Sequence, residues 1–135
     1  MLQIRHKVTP YIRGTFAIEL PSKETLLDVC ELGVNNLKLL LGMSIVHPND
    51  VYDKKLGRQI VGKRLTPTNF ILSHIEIREK NRVVFVYETL LKHPYTKEDT
   101  LLLQVGFSYI PKSNNVRLEY LSLPDVEKSS LLVNI

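Results

Sequence analysis

The chain reads as an α+β protein: a mainly antiparallel β-sheet with two helices packed on one face. Three observations predict this class. Apolar and polar residues alternate with a period of two along most of the chain, and two short stretches carry helix caps instead. Pro, Gly and Asn clusters punctuate these segments at strand-length intervals. The 135 residues, 44% hydrophobic and 24% charged, suffice for one domain with its own core, assigned to residues 1–135.

Leu2, Ile4 and Val8 mark an opening strand, and residues 15–20 a second, with Pro10 and Gly14 between them. Ser22 is placed to cap a short helix on which Leu26, Leu27 and Cys30 share an apolar, core-facing side. Gly33 and then Asn35-Asn36 stop it. In residues 37–46, Leu37, Leu39, Leu41, Met43 and Ile45 point one way while the opposite set is mixed. That is the pattern of a central strand covered on at least one side. His47-Pro48-Asn49 breaks the strand, because a residue before proline is pushed out of the α region.

Asp50 is the expected N-cap of the second helix, with Asp53 as a further acid at its positive end. At about 100° per residue, Tyr52, Leu56 and Ile60 form its apolar stripe, and Lys54, Lys55 and Arg58 the opposite side. Gly57 and Gly62 disfavour a helix by about 1 kcal/mol each, which calls for close backbone approach or for a helix end near Gly62. Beyond it, Ile71 to Arg78, then Val83, Phe85 and Tyr87, read as two strands joined at Glu79-Lys80-Asn81. A polar loop follows over residues 93–99. Leu101 to Tyr109 and Val116 to Tyr120 form a hairpin across the turn at residues 111–115, and the tail after Pro124 is weakly patterned.

Charge is unevenly spread. The chain holds 18 Lys plus Arg against 14 Asp plus Glu, a net of +4. Residues 50–65 alone hold five basic side chains against two acids, a net of +3. Lys54, Lys55 and Arg58, extended by Lys63 and Arg64, are therefore the candidate anion- or phosphate-binding residues. Arg58 would hold a phosphate bidentately and the lysines would act as point charges. The competing account is a solvated helix face whose late cations complement the helix dipole.

The segment LLLGMSIVHPNDVYDKKLGRQIVGKR resembles a strand-turn-helix piece of small uncharacterised proteins of tailed bacteriophages. Pro48, Asp50, Tyr52, Lys54, Lys55, Gly57, Arg58, Ile60 and Arg64 carry the resemblance. It covers about a fifth of the chain and implies a phage origin rather than an activity.

Few other functional classes find support. The four histidines (His6, His47, His74, His93) lack metal-ligand spacing, and His47, Asp50 and Asp53 are explained as a turn and a helix start. No phosphate loop, dinucleotide fingerprint, nucleophile elbow or zinc-protease motif is present, so neither a catalytic residue nor a cofactor is assigned. Phe85, Tyr87, Phe107 and Tyr109 alternate like the stacking residues of a single-strand-binding sheet. They lack interleaved basic residues, which favours core packing. Without an apolar leader or a bilayer-length apolar run, the expected location is the cytoplasm, that of the host if phage-encoded.

The reading that follows is a non-enzymatic phage-type accessory protein binding nucleic acid or another phosphate-bearing ligand. Two alternatives stand beside it. One is an anti-defence or regulatory protein that sequesters a nucleotide or inhibits a host protein. The other is a virion component, a homo-oligomer assembled through strand edges.

Overall fold

A computed structural model describes residues 1–10, 12–97 and 100–124. Tyr11, the expected loop's residues 98 and 99, and the tail after Pro124 lie outside the described residues. The period-two segments form seven strands: β1 (Leu2–Val8), β2 (Arg13–Glu19), β3 (Asn36–Ile45), β4 (Thr66–Arg78), β5 (Arg82–Lys92), β6 (Thr100–Tyr109) and β7 (Val116–Ser122). Helix α1 (Lys23–Leu32) lies between β2 and β3 in sequence, and α2 (Lys54–Val61) between β3 and β4. Each strand pairs antiparallel with its sequence neighbour, so the sheet order is β1-β2-β3-β4-β5-β6-β7. The edges β1 and β7 also approach each other, which curls the sheet into a nearly closed, barrel-like form.

Alternation along the strands sends Phe16, Ile18, Leu39, Leu41, Phe85, Tyr87 and Phe107 to the inner face. Leu26 and Val29 of α1 join them. The helix is capped as expected: the Ser22 hydroxyl oxygen accepts the Thr25 amide at 3.1 Å, and Gly33 closes it at φ 68°. Its buried stripe is nevertheless Leu26–Val29, which leaves Cys30 exposed rather than in the core. Phe85, Tyr87 and Phe107 are fully enclosed and Tyr109 is partly buried, so these rings build the core and offer no stacking surface.

The alternate residues in the middle of β2 and in the second half of β3 are buried too. Register sets Thr15 beside Ser44 and Ala17 beside Gly42 on the outer face, and all four are enclosed. They lie beneath α2, which packs on β2 and β3. The two helices therefore sit on opposite faces of this part of the sheet, not on one face. The reason is small side chains: Thr, Ala, Gly and Ser leave room for a second layer outside as well as inside.

Two stability outcomes follow from this packing. A Cβ at position 42 would overlap the Val61 carbonyl oxygen, so Gly42→Ala is expected to destabilise the protein by about 1–3 kcal/mol, read from the urea midpoint. The Tyr87 hydroxyl is buried with no hydrogen-bond partner among the described residues, and burial pushes its pKa up to about 12. Tyr87→Phe removes that unsatisfied group and is expected to raise stability by about 1 kcal/mol in the same measurement.

Candidate functional site

Helix α2 starts three residues later than its sequence suggests. Asp53, not Asp50, is the N-cap: its Oδ1 accepts the amides of Lys55 at 3.0 Å and Leu56 at 3.2 Å. Asp50 stays in the preceding turn, which β2 holds in place. Arg13 Nη2 donates to the carbonyl of Asp50 at 2.9 Å and to those of His47 and Pro48 at 3.2 Å each. The Tyr52 hydroxyl donates to the Gly14 carbonyl at 3.3 Å, a second tether between turn and sheet. At the other end the helix closes at Gly62, whose amide bonds to the Ile60 carbonyl.

The face that α2 turns to the sheet is Gly57 and Val61, both buried. A Cβ on Gly57 would overlap the Thr15 side chain, so the helix comes down onto the strands backbone first. This displaces the expected stripe: Leu56 is 52% exposed and Ile60 only half-buried. With Gly57 and Val61 beneath, helical geometry puts Lys54 and Arg58 together on one flank and Leu56 and Ile60 on the other, with Lys55 on the outside.

All five expected cations, Lys54, Lys55, Arg58, Lys63 and Arg64, are exposed. Lys54, Lys55 and Arg58 share α2, whereas Lys63 and Arg64 follow its end, and Arg64 lies toward the second flank. Among the described residues none of the five is ion-paired. The ion pairs found there, His74–Glu76, Arg78–Glu76 and Arg82–Glu119, involve β4, β5 and β7.

A further residue belongs to the cationic flank. His6 of β1 has its Nδ1 2.9 Å from the Thr15 hydroxyl oxygen, and its ring meets that of Tyr52 edge-on, with centroids 6.3 Å apart. Burial lowers the His6 pKa, and the charges of Lys54 and Arg58 lower it further. Lys54 and Arg58 thus stand close enough for their charges to act on the imidazole. Sequence reasoning passed over His6; the only signal was its parity on β1, opposite Thr15 in the register.

On the second flank, Leu56, Ile60 and Arg64 border a groove of about 300 Å³ closed by Val46, His47 and Tyr95. The His47 and Tyr95 rings stand edge-on with centroids 4.9 Å apart. A second cleft, of about 710 Å³, follows the seam between β1 and β7 and includes Gln3, Arg5, Arg117 and Glu119. His47 Nδ1 accepts the Asn49 amide at 3.1 Å, and the Asp53 carboxylate is occupied by its cap bonds. Among the described residues no three of His, Cys, Asp or Glu gather as a metal site, and no helix is long and apolar enough to cross a membrane.

Replacing Lys54 and Arg58 by glutamine is expected to raise the His6 pKa toward 6.5, as followed by NMR titration of the imidazole signals. The sign for stability follows from linkage. A depressed folded pKa means that the unfolded chain holds the proton more tightly. The His6 contribution is therefore present above the unfolded value and is lost as pH falls toward the folded one. The double variant is expected to lose less stability across that window. No protein-family model matches the chain, and no curated protein or solved structure shows significant similarity to it.

Proposed function

We propose that the chain is a small non-enzymatic accessory protein, of the phage type its helix segment resembles, that binds nucleic acid through α2 in the host cytoplasm. The single observation that carries this reading is the exposed flank where Lys54 and Arg58 stand one turn apart beside His6, with no paired carboxylate among the described residues. Like charges at i and i+4 weaken a helix by a few tenths of a kcal/mol, roughly 0.2–0.5, so the arrangement is unfavourable until an anion arrives.

Phosphate satisfies this geometry better than an isolated carboxylate does. Arg58 takes two oxygens in a planar fork while Lys54 and Lys55 contribute charge from either side. Lys63 and Arg64 lengthen the positive track beyond the helix end. Repeated phosphates suit several cations spread over one helix, whereas a single small anion would engage two or three of them. The contacts fall on the backbone of the polymer, so affinity depends strongly on salt and weakly on sequence.

The triple variant Lys54→Gln, Lys55→Gln, Arg58→Gln is expected to weaken DNA or RNA binding. It is also expected to flatten the slope of log K against log salt by about 2–3, measured by fluorescence anisotropy across a salt series. A wild-type protein without salt-sensitive affinity for either nucleic acid overturns the proposal.

A further inference from the structure

We infer that the groove on the second flank of α2 accepts an unpaired nucleobase, so the ligand is a base carrying its own phosphate rather than a duplex. The inference rests on the reading of α2 given above and narrows its ligand class. Either a single strand or a free nucleotide supplies that chemistry.

The groove joins two features that a flat, polar-edged aromatic ligand requires. One is apolar and aromatic surface. Leu56 and Ile60 form the helix wall, and Tyr95, 48% exposed, stands across from them. The Tyr95 ring is braced edge-on by His47 at 4.9 Å and by His93 at 6.1 Å, which fixes its orientation and leaves part of it bare. The other feature is polar reach at the rim. Arg64 offers a cation to a phosphate attached to the base. Asp50, whose carboxylate has no partner among the described residues, offers an acceptor to an exocyclic amine. Ser44 keeps the floor polar.

Alternative occupants fit less well. A lipid tail gains nothing from Asp50, Ser44 or Arg64. An apolar peptide side chain has no use for the cationic ridge beside the groove. A volume of about 300 Å³ is at the small end for ligand pockets, which suits one base rather than a larger molecule. A helix is about 10 Å across, so a backbone passing over α2 can place one base in the groove while flanking phosphates rest on Lys55, Lys54 and Arg58. A duplex keeps its bases paired and reaches only the ridge.

The test uses the full chain and three probes: a labelled single-stranded oligodeoxycytidylate, whose bases carry the exocyclic amine that Asp50 would meet, a duplex of the same length, and deoxycytidine monophosphate as competitor. The wild type is expected to bind the single strand about tenfold more tightly than the duplex. Tyr95→Ala, an exposed loop change, is expected to erase that ratio, and Tyr95→Phe, which keeps the ring, to restore most of it. Competition by the monophosphate that depends on Tyr95 supports a free nucleotide as the source. Single-strand preference without such competition supports a polymer.

Equal affinity for both polymers, or a preference that survives Tyr95→Ala, overturns the base site. If the Lys54, Lys55 and Arg58 variant still loses salt-sensitive binding in that case, the reading of α2 stands alone. Failure of the wild type to bind any of the three probes overturns both.

Discussion

The backbone-first contact of α2 with β2 and β3 is what the rest of the architecture depends on. Gly57 over Thr15, and Val61 over Gly42, let a helix settle on strands whose other face already carries Phe16, Ile18, Leu39 and Leu41. β2 and the second half of β3 are therefore buried on both sides, and β2 is enclosed along almost its whole length. Because the seat is made by small residues and backbone, the long side chains of α2 are not needed for docking. Lys54, Lys55 and Arg58 remain at the surface as a direct result.

Charge is segregated in the same manner. Among the described residues, the acids that bond to other side chains do so away from α2. Glu76 lies between His74 and Arg78, Glu119 accepts from Ser108 and pairs with Arg82, and buried Glu88 accepts from Gln104. These contacts belong to β4–β7, while α2 rests on β2 and β3. Asp53, the nearest acid in sequence to the helix cations, has its oxygen engaged by the helix amides. The positive potential at His6 follows from this division of labour between the two halves of the sheet.

Local patterns in the sequence were sufficient for most of the strands and for α1. Alternation marks both β3 and β6, and Ser22 and Gly33 delimit the first helix because capping is a local matter. Contacts between distant residues account for what was missed. Arg13 holds the carbonyls of residues 47, 48 and 50 in a turn, so the cap passes from Asp50 to Asp53. Hydrophobic periodicity named Tyr52, Leu56 and Ile60 as the seat of α2, yet glycine has no hydrophobicity to register and Gly57 took that place. On α1 the buried pair is Leu26 and Val29, which turns Cys30 outward from the side the apolar pattern assigns it. The start of β4 was also hidden: Pro67 pairs opposite Leu40 near its beginning, where a missing amide is tolerated. The candidate cations were legible as a charge cluster, but His6, Tyr95 and the groove come together only through the fold.

The incomplete closure of the sheet bears on how such a surface would respond to occupancy. β1 is hydrogen-bonded along one side, to β2, and only brushes β7 on the other. It also carries Arg5 and Lys7, two cations that discourage stray pairing at a free edge. An anion lodged between His6 and the adjacent helix would draw this edge strand, paired along its length with β2 alone, against the body of the protein. Occupancy and tightening of the barrel would then be one event, with a strand paired on one side only acting as the hasp.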